Sequence, residues 1–213
     1  MSTDFKPLRL ALTKGRLEKK THALLSSAGV DMSELENKGR RLIIPLAGAN
    51  IEIMLAQAPD VITYVEHGVC ELGIVGKDTI MEHATTFYEI LDLGFGACRF
   101  ALAGKKDTDF YSGYGKKVIA TKYPNIAKEF FASKGIDIEI IKIEGSVELA
   151  PILGLSDAII DIVETGETLK ENGLVIIEEF APISARLIVN QAAMKMKKNQ
   201  IDDFVKLIGQ RDV

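Results

Sequence analysis

Residues 156–169 read Ser-Asp-Ala-Ile-Ile-Asp-Ile-Val-Glu-Thr-Gly-Glu-Thr-Leu, and this stretch decides the fold. Ala158 to Val163 is an apolar run of strand length, and it gives way to a Thr-Gly-x-Thr turn that opens a helix from Thr165 to Glu171, closed by Asn172-Gly173. A strand that turns directly into a helix is the unit of an α/β protein. The first backbone N–H groups of such a helix lack intrahelical partners, so they can cradle a phosphate, with the Thr165 and Thr168 hydroxyls as further donors. Asp161 and Glu164 stand just before the cradle and suit the hydroxyls or bound metal of a sugar carrying that phosphate. A plainer reading is an ordinary strand–loop–helix connection in which Thr165 merely caps the helix.

The same alternation extends in both directions. Upstream, the pattern predicts strands at Leu8–Leu12, Arg41–Pro45, Ile51–Ala56, Leu72–Val75 and Tyr88–Leu93. Helices are predicted from Leu17 to a stop at Gly29, and from Pro59 to Glu66. A second series follows: strands at Arg99–Ala103, Lys117–Thr121, Ile136–Ile143, Val175–Glu178 and Arg186–Asn190, with helices at Pro124–Ser133, Val147–Leu153 and Asn199–Leu207. Gly94-Phe95-Gly96 and Phe180-Ala181-Pro182 are the expected crossover points. The expectation is two α/β lobes with a central cleft, lobe I being 1–94 plus 184–213 and lobe II 95–183. Ligands of open α/β sheets bind beyond the carboxyl ends of strands, where the cradle falls.

Composition narrows the function. With 47% hydrophobic and 26% charged residues the chain is an ordinary globular protein. Its net charge of −4 argues against a nucleic-acid surface. No run reaches a membrane-spanning length, and Met1 to Pro7 is too polar for a signal peptide, so a cytoplasmic location is expected. Cys70 and Cys98 read as reduced buried thiols, and His22, His67 and His83 as scattered surface or helix-end residues without a metal constellation.

Familiar nucleotide motifs fail. Arg99 stands where the third glycine of a Gly94-x-Gly96 fingerprint belongs, and a phosphate loop ending at Gly76-Lys77 would have Glu71 in place of its first glycine and Asp78 in place of Ser/Thr. No serine or cysteine triad is supported. Three cationic or glycine-rich elements remain. Lys14-Gly15-Arg16 follows the first strand and suits polyphosphate, although a solvated helix start would look the same. Gly73 to Asp78 is either core packing with a surface pair or part of a site. Arg40-Arg41 is either a solvated edge or a cationic arm.

One ordered set ties these pieces together: Glu148, Gly154-Leu155-Ser156, Ile159, Asp161-Ile162 and Thr165-Gly166-Glu167-Thr168-Leu169. To it are added Lys14-Gly15-Arg16, Tyr64-Val65-Glu66-His67-Gly68, Leu72-Gly73-Ile74-x-Gly76-Lys77-Asp78, Ala120-Thr121-Lys122-Tyr123 and Arg186-Leu187-Ile188-Val189-Asn190. The set resembles the ATP phosphoribosyltransferase family, which opens histidine biosynthesis, and covers nearly the whole chain. The resemblance implies a type II periplasmic-binding-protein-like fold. It also implies a reaction joining N1 of ATP to C1′ of phosphoribosyl pyrophosphate (PRPP), with pyrophosphate released.

By that resemblance, Asp161, Glu164, Thr165, Gly166, Glu167 and Thr168 would bind PRPP. Lys14, Gly15, Gly73, Lys77 and Glu148 would serve ATP or polyphosphate, and Arg16 and Arg40 would be the catalytic cations, Arg40 reaching across a dimer. Mg²⁺ would travel on the pyrophosphate rather than in a side-chain cage. With no regulatory domain after Asn190, the chain resembles the short form, a homodimer that joins a regulatory subunit related to histidyl-tRNA synthetase. The rivals are a non-catalytic binding protein of the same architecture, and a phosphoribosyltransferase acting on a free base, whose paired acids normally adjoin.

Overall fold

The computed structural model describes residues 6–46, 48–83, 86–113 and 115–209. The first five residues of the polar N-terminal stretch thus lie outside the described residues. Contacts group the chain into two units, one formed by residues 1–80, 84–96 and 184–213, the other by 81–83 and 97–183. Apart from the short passage at 81–83, the chain goes from the first to the second at Gly96/Ala97 and returns at Ile183/Ser184.

The first unit opens with β1 (Leu8–Thr13), α1 (Arg16–Ser27), α2 (Ser33–Glu36), β2 (Ile43–Leu46), β3 (Ile51–Ala56), α3 (Ala58–Glu66), β4 (Leu72–Gly76), α4 (Lys77–Glu82) and β5 (Phe87–Asp92). The second unit holds β6 (Cys98–Lys105), β7 (Lys117–Thr121), α5 (Pro124–Ser133), β8 (Ile138–Lys142), α6 (Leu149–Ile152), β9 (Ala158–Val163), α7 (Glu167–Glu171) and β10 (Leu174–Ile183). Then β11 (Ala185–Asn190), α8 (Gln191–Met196) and α9 (Lys198–Gly209) complete the first unit.

Strand order in the first sheet is β2-β3-β1-β4-β11-β5, with β1 parallel to β3 and β4 and with β2, β11 and β5 antiparallel to their neighbours. Leu8, Leu10 and Leu12 point to one face, where Leu25 of α1 and Ile201, Phe204 and Ile208 of α9 cover them. Ala11, Val75 and Ile188 point to the other, under Val61, Ile62 and Val65 of α3. Helices on both faces leave β4 buried on both sides, which is why Leu72–Val75 is an unbroken apolar run.

The second sheet runs β10-β6-β9-β7-β8, with β7 parallel to β8 and β9, and β6 antiparallel to β9 and β10. One face carries Phe100, Leu102, Ile119 and Ile160 against Ile126, Phe130 and Phe131 of α5. The other is built low, from Ala101, Ala103 and Ala120, and is covered by Val147 and Ala150 around α6 and Leu169 of α7. The quoted strand, β9, runs through the middle of this sheet.

Several expectations are corrected. Lys77 and Asp78, after Gly76 ends β4, open a helix, α4, that the pattern did not predict. Phe180-Ala181-Pro182 is not a crossover but part of the ten-residue β10, where Pro182 is tolerated because β10 is an edge strand that bulges twice against β6. Among the described residues beyond Asn190 there are two helices, α8 and α9, rather than one. Cys70 is buried as expected, but Cys98, at the start of β6, is only half-buried.

Candidate active site at the carboxyl end of β9

The quoted stretch forms a strand, a tight turn and a short helix. Gly166 caps α7 in the left-handed region, φ +82° and ψ 4°, a conformation that glycine alone adopts without strain. The Thr165 hydroxyl accepts a long 3.3 Å hydrogen bond from the Glu167 N–H. Thr165, Glu167 and Thr168 are exposed, whereas Leu169 is buried and anchors the turn. At the far end of α7 the Asn172 side chain donates to the Thr168 carbonyl at 2.8 Å.

Register places the acids. Asp161 lies opposite Ala101 of β6, and Ala101 lies opposite Glu179 of β10, so both acids share the low, alanine-rich face. The Asp161 carboxylate accepts the Ile162 N–H at 2.8 Å and is half-buried, while Glu164 is exposed at the strand's exit. Glu148 is half-buried at the start of α6, which packs on this same face through Ala150. Asp161, Glu164, Thr165–Thr168 and Glu148 therefore belong to one unit and to one face or end of its sheet.

Sequence reasoning missed Arg99. Its Nη1 donates to the Glu164 carbonyl at 2.9 Å, and its Nε lies 2.7 Å from the Glu179 carboxylate. A cation at the head of an otherwise apolar run was the available signal, but its partners come from strands 65 and 80 residues later in the chain (164 − 99 and 179 − 99).

In the first unit, Lys14, Gly15 and Arg16 follow β1 at the carboxyl edge of the parallel strands. Gly15 adopts φ +87° as the cap of α1, its N–H donates to the Glu18 carboxylate at 3.2 Å, and the Lys14 N–H donates to the Ala56 carbonyl at 3.0 Å. Partial burial pushes Glu18 up, but Lys38 and the Gly15 N–H together hold it below its ordinary value. Lys14 and Arg16 are exposed. The Arg40-Arg41 pair divides: Arg41 is tied to the Glu34 carboxylate at 2.6 Å and to the Lys38 and Asn37 carbonyls, whereas Arg40 is exposed.

Lys77 and Gly73 look different from what the sequence suggested. Lys77 Nζ is 2.5 Å from Glu89, which also pairs with Arg186 at 3.2 Å, so its charge is already engaged. Gly73 is buried in β4, where a Cβ would come within 2.8–3.0 Å of Val65, Ile188 and Val61. Close packing of α3 and β11 explains that glycine. The segment Tyr64–Gly68 and Asn190 serve each other: the Asn190 amide donates to the Val65 carbonyl at 2.8 Å, and its oxygen caps α8 by accepting the Ala193 N–H at 3.0 Å. Among the described residues, no three His, Cys, Asp or Glu side chains assemble as a metal cage, and no helix is long and apolar enough to cross a membrane.

Comparison with known proteins gives this arrangement its relatives. The family described as HisG: ATP phosphoribosyltransferase matches residues 57–210. An ATP phosphoribosyltransferase of Clostridium kluyveri is 61% identical over 201 residues, covering 94% of this chain and 92% of that one. Among solved structures, the ATP phosphoribosyl transferase (HisG:HisZ) complex from Thermotoga maritima aligns with a TM-score of 0.82 at 37% identity, covering 95% of this chain and 97% of that one. The periplasmic aliphatic sulphonate binding protein SsuA from Escherichia coli aligns at 0.61 with 11% identity, covering 97% of this chain and 68% of that one, a likeness of fold alone. The chain belongs to the HisG family of ATP phosphoribosyltransferases.

Proposed function

We propose that this chain condenses ATP with PRPP, releasing pyrophosphate, and that the turn after β9 holds the PRPP half of the reaction. The observation that carries the reading is Gly166: its left-handed cap opens α7 beside two exposed threonines, directly after two carboxylates. Thr165–Thr168 receive the 5′-phosphate in this reading, and Asp161 and Glu164 hold ribose hydroxyls.

Adenine N1 is a weak neutral nucleophile and C1′ carries a good leaving group once its charge is neutralised. Catalysis then rests on positioning and on charge, without a covalent intermediate on the enzyme. Mg²⁺ enters with the pyrophosphate as part of the substrate, bound by hard phosphate oxygens. Lys14, Gly15 and Arg16, at the carboxyl edge of the other sheet, take the polyphosphate, with Arg16 stabilising charge as the C1′–O bond breaks. Arg40 serves as a second cation, supplied to the site of a second copy in a homodimer. Glu148 contributes on the nucleotide side. The two sets of residues belong to different units, so the reading requires both.

The Thermotoga maritima relative is a complex of HisG with HisZ, and a separate regulatory subunit related to histidyl-tRNA synthetase is proposed for this chain as well, in the cytoplasm. The test is pyrophosphate release by the purified chain, alone and with that subunit. Release requiring both ATP and PRPP is expected. Release with a free purine base in place of ATP would sink the assignment in favour of an ordinary base phosphoribosyltransferase, and binding without turnover would favour the non-catalytic rival.

A further inference from the structure

The chain's phosphate turn is not held by its own helix alone. The β6–β9 ladder ends at the pair Arg99 and Val163. Glu164 is the next residue along the chain, and its carbonyl accepts a hydrogen bond from Arg99 Nη1 at 2.9 Å. The guanidinium in turn forms an ion pair with Glu179, whose carboxylate lies 2.7 Å from Nε but outside hydrogen-bond alignment with its N–H. These residues come from β10, β6 and the exit of β9, three neighbouring strands, so the contacts form a line across the sheet that ends at the turn.

We propose that Arg99, braced by Glu179, is the positioning residue of the phosphate turn. The proposal rests on the PRPP reading above and adds how that site is kept in shape. Rotation about the Glu164 carbonyl would swing the Glu164 carboxylate and every N–H from Thr165 to Thr168 together. Fixing that carbonyl sets the cradle before a ligand arrives, which lowers the ordering cost of binding. The same guanidinium brings a positive charge to a turn whose side chains, Glu164 and Glu167, are otherwise acidic and repel a phosphate. An ammonium cannot replace it, because only a rigid fork reaches a carbonyl with one nitrogen and a carboxylate with another.

The test uses the full-length chain and compares Arg99→Lys, Glu179→Gln and Thr168→Ala by steady-state kinetics for each substrate and by thermal unfolding. Arg99→Lys is expected to raise the KM for PRPP about tenfold or more with the KM for ATP within about twofold, since a misplaced site costs heavily in the substrate it holds. Glu179→Gln keeps the shape but weakens the brace, and an increase of about threefold is expected for PRPP alone. If Arg99→Lys does not fold, Glu179→Gln carries the same comparison. Thr168→Ala impaired for PRPP beside an unaffected Arg99→Lys or Glu179→Gln overturns the brace and leaves the turn's assignment standing. KM values for both substrates rising together with a lowered unfolding temperature also overturn it, in favour of a purely structural ion pair. If Thr168→Ala leaves PRPP unaffected, the PRPP reading falls, and the brace with it.

Discussion

Gly73 and Gly166 both stand in motifs that point to a nucleotide site, yet they are glycines for different physical reasons. At Gly73 the reason is space, because a Cβ would press on Val65, Ile188 and Val61. At Gly166 it is conformation, φ +82°, with only ordinary contacts at 3.7–3.8 Å around a Cβ. Gly73→Ala should therefore cost about 1–3 kcal/mol of stability by overpacking and leave PRPP affinity unchanged. Gly166→Ala should cost about 1–2 kcal/mol through strain and also weaken PRPP binding, because the cradle itself must shift. Thermal unfolding and calorimetric titration with PRPP separate the two, and a Gly73→Ala protein of unchanged stability would remove the packing account. Sequence showed Gly166 clearly, because Thr-Gly-x-Thr after an apolar strand leaves little choice. It could not distinguish Gly73, since a buried glycine and a ligand-facing glycine look alike until the helix above is known. Arg41 and Lys77 were ambiguous for a related reason: whether a cation is engaged depends on partners such as Glu34 and Glu89 that only the fold brings near.

Elements with strong local signals were legible as sequence: Ile51–Ala56, Lys117–Thr121, Pro124–Ser133 and Ala158–Val163 have the bounds that their patterns suggest. Elements set by tertiary context were not. Strand β10 runs ten residues, through a proline, because it pairs β6 along an edge, and α4 forms in a segment where no helical pattern was read. The middle of β10 also carries a small ionic device. Glu178 accepts hydrogen bonds from Lys134, which follows the last residue of α5, at 2.7 and 2.9 Å and from the Tyr111 hydroxyl at 2.7 Å. The Lys134 bond first, and the Tyr111 bond second, hold the Glu178 carboxyl below its ordinary value. Because the folded pKa is depressed, this stabilisation is present above the unfolded pKa and is lost as pH falls through the folded one. Lys134→Met should thus be less stable than the parent at pH 7, by less than about 1 kcal/mol for so exposed a pair. The gap should narrow as pH falls from about 5 to about 3. Chemical denaturation across that range is the measurement, and a gap independent of pH would assign the effect to the lost contacts of Lys134 with Phe130 and Tyr111 instead.

At the scale of the whole molecule, the long excursion from the first unit, residues 97–183, leaves and returns at two points that are stitched together on that unit's side. Ala185 donates its N–H to the Phe95 carbonyl and accepts the Leu93 N–H, both at 2.9 Å. The Asp92 carboxylate receives the Gly94 N–H and the Ser184 hydroxyl at 2.8 Å each. The cationic residues Lys14 and Arg16 belong to this unit, and the phosphate turn to the other. In the proposed reading the reaction uses both sets of residues and so needs both units, whereas PRPP binding at the turn needs only the second. That difference gives a test of the proposed division of labour. Arg16→Ala should lower turnover by about a hundredfold or more, as expected for removal of a group that meets charge developing in the transition state, while the calorimetric affinity for PRPP changes little. Thr168→Ala should do the reverse in binding, weakening PRPP affinity about tenfold through a lost hydrogen bond to a charged phosphate. An Arg16→Ala enzyme with full turnover would remove that arginine from the chemistry. An Arg16→Ala enzyme that lost PRPP affinity to the same degree as Thr168→Ala would move part of the PRPP site into the first unit.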